Sequence, residues 1–432
     1  LTAYIISNKY LSEFYAFLAA LFVTFQLLIL QTPLSPRTNL ALFFFALCIM
    51  VLFTINVSQV KRVLLFTIFI AATVVSHYST TYIFFFLLLF TGLLTLVLRK
   101  HTLRKNVTLI SSALVLALVF LWGSVSTLVP LRAGFNFVKA ALLSLKETVS
   151  FDMAVRGKQV ELALGVGQGF NTLDYIYLII TWLCYAFITA GVIATLIKRR
   201  KILAIPKQGK APAEFTKERI DAEYFLMALA CCAIAVGAIL LPYISKYGLT
   251  RSFPMLLVIL STFFVLGGMM LSKHLKLGAP WLILLLSIPY FMFVSGAAYE
   301  VCGIHEGALR SQAYSTVISS KVPSTDYELV YDQEVKSARW LKEHNDGHTK
   351  VFAADAYGKR KLVSQGKFTQ RSLGDSPFFD HVKVTGYIWL SYNNVRNSKL
   401  TYKGVSSNIS DYQDVLIGKN RIYTNGGSEV WR

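Results

Sequence analysis

Acidic residues are scarce in the first 299 positions of this 432-residue chain: only Glu13, Glu147, Asp152, Glu161, Asp174, Glu214, Glu218, Asp221 and Glu223 occur there. None lies in the middle of an apolar run. A proton or ion pump needs carboxylates near the middle of the membrane, where an ionised group is costly and is kept for a reason, so ion-coupled transport ranks last among the readings below. The chain also lacks a Walker loop, a GxGxxG turn, an HExxH helix and any internal repeat. Cysteine is sparse as well. Cys48, Cys184, Cys231 and Cys232 lie in apolar stretches and Cys302 follows the last of them, which leaves neither a disulfide framework nor a spaced metal site. No cofactor is evident, and no residue pattern supports a divalent metal.

What the chain has in abundance is long apolar sequence. Nine runs stand out: Leu11 to Gln31, Asn39 to Asn56, Val63 to Ser76, Tyr82 to Leu98, Val107 to Val129, Leu173 to Ile197, Ala222 to Ile244, Phe253 to Ser272 and Ala279 to Ala298. A helix crosses the ~30 Å hydrocarbon core with ~17 to 25 residues, and most of these runs reach that length. Val63 to Ser76 is shorter, but Lys61 and Arg62 can snorkel at its start. The pattern predicts a polytopic α-helical membrane protein of about nine transmembrane helices.

Basic residues orient it. If every run crosses, one set of loops, with Lys9, carries 17 Lys and Arg, and the opposite set carries 8. The first side is then cytoplasmic, and residues 300–432 are extracytoplasmic. The net charge of +20 needs no nucleic-acid partner, because the inner loops hold much of it and the tail is nearly balanced at 18 basic and 14 acidic residues. The expected location is the cell membrane, multi-pass, with the lipid bilayer as partner. Leu1 to Tyr10 has no signal-peptide pattern and reads as the end of a segment, so an upstream membrane portion is expected.

Composition changes at Tyr299, which divides a transmembrane bundle (1–299) from a soluble α/β domain (300–432). Within the latter, Asp332 to His344 has apolar residues at helical spacing, while Lys350 to Asp355 and Tyr387 to Tyr392 read as strands. Asp414 to Trp431 predicts two more strands, Val415–Ile417 and Glu429–Trp431. The tryptophans Trp340, Trp389 and Trp431 suit either the domain's own core or a docking surface.

A long outer loop at about 128–172 is the other landmark. Phe135, Val138, Leu142, Leu145 and Val149 recur at helical spacing, as expected of a helix lying on the membrane and able to roof an outward cavity or merely to rest on lipid. Polar groups also gather at predicted outer helix ends. Ser76-His77-Tyr78-Ser79-Thr80-Thr81-Tyr82 offers imidazole, hydroxyl and phenol groups that could bind a phosphate or sugar or could simply cap the next helix. Arg37 and Arg251 each precede a helix on the poorly basic side, where a guanidinium can hold a phosphate or a lipid headgroup.

The pieces FFFALCIMVLF, VVSHYSTTYIFFF, RGKQVELALGVGQG, LPYISKYGLTRSF, SGAAYEVCG, YDQEVKSARWLKEH and NRIYTNGGSEVWR resemble, in order and over almost the whole chain, successive motifs of a family of archaeal predicted membrane proteins of unknown function. The layout is also similar to the GT-C class of membrane glycosyltransferases, which move a sugar from a polyprenyl-phosphate carrier to an acceptor on the outer face. That similarity implies a lipid-linked sugar donor and a glycan or glycoprotein acceptor, with a carboxylate as base and cationic or donor groups at the departing phosphate. Arg37, His77, Tyr78 and Arg251 suit the phosphate or sugar. In the GT-C class the carboxylate sits on the first outer loop, a segment expected upstream of Leu1. Asp152, Glu161 and Glu147 are the substitutes present here. The rival reading is a non-catalytic membrane protein that binds or translocates lipid-linked glycans.

Overall fold

The computed structural model describes residues 1–30, 36–53, 57–98, 107–125, 132, 134–136, 138–139, 143, 158–166, 169–204, 215–240, 249–304, 309, 329–378, 381–402 and 405–432. The described chain separates into two compact units, Leu1–Ile318 and Ser319–Arg432.

The first unit is a helical bundle. Among the described residues its helices, apart from the single turn Arg199–Ile202, are α1 (Thr2–Asn8), α2 (Glu13–Thr24), α3 (Leu27–Leu30), α4 (Pro36–Phe53), α5 (Gln59–Ser76), α6 (Tyr78–Val97), α7 (Leu109–Val125), α8 (Lys158–Leu164), α9 (Thr172–Ile197), α10 (Ala222–Leu240), α11 (Leu249–Leu275), α12 (Ala279–Val294) and α13 (Ala297–Val301). Among the described residues six helices, α4, α5, α6, α9, α10 and α11, are long and apolar enough to cross a membrane. The apolar helices α2, α7 and α12 are shorter, at 12, 17 and 16 residues. Two boundaries differ from the hydropathy reading. Helix α5 starts at Gln59 and so takes Lys61 and Arg62 into its first turn, reaching 18 residues. The first apolar run breaks after Thr24, where the buried Gln26 side chain turns back and its amide donates to Phe22 O at 2.8 Å.

Helix α11 is the axis of the bundle: Met255 through Leu266 are almost wholly buried, and it packs against α9, α2, α12 and α10. A helix apolar on every face belongs in such a centre. Its closest neighbour is α9, where Gly191 and Gly267 meet backbone to backbone. A Cβ on Gly191 would lie 2.9 Å from Gly267 N, and one on Gly267 would lie 3.0 Å from Gly191 N. Small residues let membrane helices approach this closely and gain dispersion contact. Deeper in the bundle Thr262 Oγ1 shares hydrogen bonds with Ser7 Oγ at 3.0 Å and Tyr224 OH at 3.1 Å.

Basic residues collect at one end. Lys9 pairs with Asp221 and donates to Phe53 O at 2.5 Å, and Tyr10 OH donates to the same Asp221 carboxylate at 3.1 Å. The ammonium groups of Lys198 and Lys273, at the ends of α9 and α11, stand 4.9 and 4.0 Å from the centre of the Phe215 ring. A short parallel pair, β1 (Leu203–Ala204) with β2 (Ile220–Asp221), closes this end. Helices α9 and α11 therefore run parallel, and the starts of both lie at the opposite end, with the start of α4 and the α5–α6 corner.

The second unit is α/β. A five-stranded sheet has the order β4 (Leu373–Gly374), β3 (Val351–Ala353), β5 (Tyr387–Leu390), β9 (Glu429–Trp431), β8 (Arg421–Thr424), with β4, β3 and β5 parallel and β9 antiparallel to both its neighbours. A separate hairpin joins β6 (Lys399–Tyr402) to β7 (Val405–Asn408). Helices α14 (Asp332–His344) and α15 (Ala356–Gly366) pack on each other, and α16 (Tyr392–Arg396) follows β5. One core contains Leu341, Val351, Leu362, Trp389 and Val430; the other contains Phe378, Ile388, Leu390, Leu400 and Val415. All three tryptophans pack within this unit: Trp389 is fully buried, Trp340 stacks between His344 and Tyr423, and Trp431 flanks the second core.

The strand expected at Val415–Ile417 is absent. Val415 and Leu416 close a 3-10 segment, Ile409–Leu416, with Val415 buried in the second core, and the strand pairing with β9 is Arg421–Thr424. An edge strand exposed to water carries polar residues, so hydrophobicity marked the wrong segment. Asp355, after β3, caps α15 by accepting from Gly358 N at 2.7 Å. Burial pushes its carboxyl above the usual range, against that hydrogen bond and one from Asn394.

Candidate functional site

At the end of the bundle opposite the basic one lies a cavity of about 160 Å³. Helix α9 supplies its principal wall. Tyr177, Thr181 and Tyr185 stand at i, i+4 and i+8, which places them on one face with Trp182 beside them. Tyr290 of α12 and Gln26 complete a polar side, the tyrosine hydroxyl donating to Gln26 Oε1 at 3.0 Å. Ring packing fixes these side chains: Tyr177 stacks on Phe293 at 5.4 Å, and Tyr185 stacks on Phe253 at 5.5 Å. Among the described residues the hydroxyls of Tyr177 and Tyr185 have no hydrogen-bond partner, which leaves two donors for a guest.

From the segment between α7 and α9, α8 reaches the cavity. Its Leu162 and Ala163 line the space, Ala163 O accepts from Trp182 Nε1 at 3.0 Å, and Val160 is buried beside Ala238 and Phe253. Glu161 is half-buried on the same helix. The amphipathic stretch Arg132 to Ser150 falls largely outside the described residues, as do Glu147 and Asp152.

A buried carboxylate holds the start of α9. Asp174 is fully buried, and its Oδ1 accepts from Tyr299 OH at 2.7 Å and from the backbone N of Leu309, itself a lining residue, at 3.2 Å. Its Oδ2 accepts from Asn171 N at 3.2 Å, while Asn171 Oδ1 accepts from Asp174 N at 2.9 Å, a reciprocal capping box. Asp174 thus ties α9, the corner after α12 and the segment at Leu309 into one rim. Nothing in the sequence marks it as a site residue, although the Asn-x-x-Asp spacing before an apolar run is a visible sign of a cap. The hydroxyl stripe was visible too, at four-residue spacing, but it was absorbed into an apolar run.

The proposed phosphate ligands fare differently. Arg37 is exposed in the first turn of α4, and Tyr78 is exposed at the start of α6. His77 caps α6: its Nδ1 accepts from Thr80 N at 3.4 Å and lies 3.0 Å from both Thr80 Oγ1 and Ser79 Oγ. Thr81 Oγ1 donates back to His77 O at 3.0 Å. Much of the SHYSTT turn therefore serves the helix start, as orphan N–H groups require. Arg251 lies in the first turn of α11, and its side chain is outside the described part. All four residues sit at the cavity's end of the bundle, but none is among the described residues that line it. Among the described residues no group of His, Cys, Asp and Glu could hold a metal ion.

Residues 61–431 match the family model described as Predicted membrane protein (DUF2206). The chain belongs to that family. No curated protein matches it. The family description agrees with the bundle's apolar helices and makes this a multi-pass membrane protein associated with the lipid bilayer.

The end of the chain has structural work that its sequence does not reveal. In the closing NGGSEVWR stretch, Asn425 Nδ2 donates to Gln333 O at 2.8 Å and Ser428 Oγ donates to Leu390 O at 2.6 Å. Ser337 Oγ, 2.7 Å from Ser428 Oγ, accepts from Trp389 Nε1 at 2.9 Å. The motif clasps α14 to the sheet.

Proposed function

We propose that this protein is a GT-C-like membrane glycosyltransferase, or the C-terminal portion of one, that takes a sugar from a polyprenyl-phosphate carrier and passes it to a surface glycan or glycoprotein. In this reading the nine apolar helices all cross the cell membrane, the basic end is cytoplasmic by the positive-inside rule, and the domain at 300–432 is extracytoplasmic. The observation that carries it is the cavity at the poorly basic end, whose hydroxyl stripe on α9 and Gln26–Tyr290 pair can hydrogen-bond a sugar while Trp182 and the tyrosine rings cover its apolar faces. Glu161 is the acid that best suits the base: it would take the proton of the acceptor hydroxyl as that oxygen bonds to the anomeric carbon. In the same step the bond between the anomeric carbon and the phosphate oxygen breaks, its electron pair leaving with the phosphate toward Arg37 and Arg251.

In proteoliposomes supplied with a polyprenyl-phosphate sugar, Tyr185→Phe and Trp182→Ala are expected to lower transfer about tenfold each, the loss of one or two contacts worth about 1.4 kcal/mol. Glu161→Gln is expected to abolish transfer without weakening donor binding. Full transfer by Glu161→Gln would remove that residue from the mechanism. Donor binding that depends on the cavity, with no transfer by the whole protein, would instead favour a binder or translocator of lipid-linked glycans. That alternative has its own support: Glu161 is the one acid on the described segment α8, and Asp174 is engaged in holding the rim.

Sidedness is tested separately. In a variant lacking the native cysteines, an impermeant thiol reagent on intact cells should modify a cysteine at Lys383 and spare one at Lys210. The reverse pattern would invert the orientation and move the cavity to the cytoplasmic face.

A further inference from the structure

The chain carries three Asn-x-Ser/Thr triplets with no proline at the middle position: Asn56-Val57-Ser58, Asn106-Val107-Thr108 and Asn408-Ile409-Ser410. This is the acceptor pattern of N-linked glycosylation, which adds a bulky hydrated group and so requires a surface segment on the non-cytoplasmic side. The first two triplets adjoin Lys61 and the basic stretch 99–105, in loops of the strongly basic side. Asn408 alone of the three belongs to the α/β unit. It is the last residue of β7, opposite Lys399 in the hairpin. Asn408 and Ser410 are exposed, while Ile409 between them packs against the second core and its backbone N donates to Ser398 O at 2.9 Å. The middle residue thus anchors the turn and leaves its two neighbours facing solvent.

We propose that Asn408 is an N-glycosylation site and carries an oligosaccharide on Nδ2. Its Oδ1 accepts from Ser410 N at 3.1 Å, an Asx turn that fixes the amide with its oxygen toward the chain and its nitrogen away from it. Among the described residues Nδ2 has no hydrogen-bond partner, so no bond must break before it reacts. The Ser410 hydroxyl, exposed two residues on, supplies the second group of the acceptor pattern. The co-reactants are a glycosyl phosphate donor and a separate oligosaccharyltransferase of the cell. Nδ2 bonds to the anomeric carbon of the glycan as the bond between that carbon and the phosphate oxygen breaks, its electron pair leaving with the phosphate. One amide proton passes to a base of the transferase. A glycan at the end of a surface hairpin displaces no core side chain. The inference rests on the outward placement of residues 300–432 given above, and on no transfer activity of this protein.

The test is glycopeptide mass spectrometry on the full chain, produced in cells whose oligosaccharyltransferase acts outside the cytoplasm and modifies a secreted control protein in the same culture. Trypsin releases residues 404–419, in which Asn408 is the one asparagine. This peptide should carry the glycan, and the peptides holding Asn56 and Asn106 should be bare. Asn408→Gln should remove the modification. Ser410→Ala should remove it as well while sparing the fold, because the Asx turn uses the backbone N of residue 410, which alanine keeps. Ser410→Thr should retain it. A bare 404–419 peptide beside a modified control, or a glycan that survives Ser410→Ala, would overturn the proposal. The cysteine at Lys383 separates the two ways of failing: its labelling on intact cells with Asn408 bare refutes the site and keeps the orientation. Glycans on Asn56 or Asn106 with Asn408 bare overturn both.

Discussion

Gly267→Ala should destabilise the bundle, whereas Gly237→Ala, a chemically identical change in α10, should leave it unchanged or stabilise it by about 1 kcal/mol. In a helix interior alanine is favoured over glycine by roughly that amount, because glycine has more backbone freedom to lose. Gly237 has nothing within 4 Å of the position its Cβ would take, so only propensity acts there. At Gly267 the new methyl meets the backbone of Phe187 well inside van der Waals contact, and a carbonyl in the middle of a helix cannot yield as a flexible side chain would. Helices α9 and α11 must move apart. Forcing one methyl into a packed contact costs about 1–3 kcal/mol, and the separation also strips dispersion contacts along the rest of the crossing. Gly267→Leu should then prevent stable assembly of these helices. Gly191→Ala should resemble Gly267→Ala, because its Cβ meets the Phe263 carbonyl in the same way. Unfolding in mixed micelles with rising fractions of a denaturing detergent reads the sign. Equal midpoints for the Gly267 and Gly237 variants would show that the close crossing is not required.

The apolar runs were legible as helices because hydrocarbon leaves few choices: backbone groups without water must pair within the segment. Length and hydropathy therefore located α4 to α7 and α9 to α12 to within a few residues. They could not reveal what depends on partners distant in sequence. The break after Thr24 follows from Gln26, whose side chain satisfies Phe22 O and receives Tyr290 OH, 264 positions away. In the second unit, α14 was readable end to end from its helical spacing. Strand β8 was not, because Arg421 and Thr424 lie exposed on an edge strand and carry no apolar signal.

The site was less legible than the fold, for a related reason. In the sequence the conspicuous groups are polar and charged residues at helix ends, where their cost demands an explanation, and these are Arg37, His77 and Arg251. The cavity is instead built from hydroxyls and rings that pass as ordinary members of an apolar run. Tyr177, Thr181 and Tyr185 differ from their neighbours only in sharing a face, and that face acquires meaning only when α8, α12 and Gln26 close around it. The His77 motif shows the converse. Its polarity was conspicuous in the sequence, and much of it is used by the helix start that it caps.

Lys361→Met should cost the second unit about 3–5 kcal/mol, the usual consequence of leaving one partner of a buried ion pair alone. Lys361 Nζ lies 2.8 and 2.9 Å from the two oxygens of Glu334, with side-chain exposures of 6% and 0%. The carboxylate also accepts from Tyr331 N at 3.0 Å and Tyr392 N at 2.9 Å, so it joins the start of α14 to the start of α16 and, through Lys361, to α15. Methionine keeps much of the stem's packing and removes only the charge, which leaves an ionised group away from water with two neutral donors. Glu334→Gln relieves that charge but turns an amide N–H₂ toward either the ammonium or a backbone N–H, so it should be destabilising as well. Because both changes disrupt one network, the double variant should lose clearly less than the sum of the two singles. Hydrogen exchange on the full chain in nanodiscs supplies the readout, with faster exchange expected across α14, α15 and β5 and none in the bundle. Additive losses, or a Lys361→Met effect below about 1 kcal/mol, the range of an exposed pair, would mean that the pair is hydrated in solution and does not hold the three helices together.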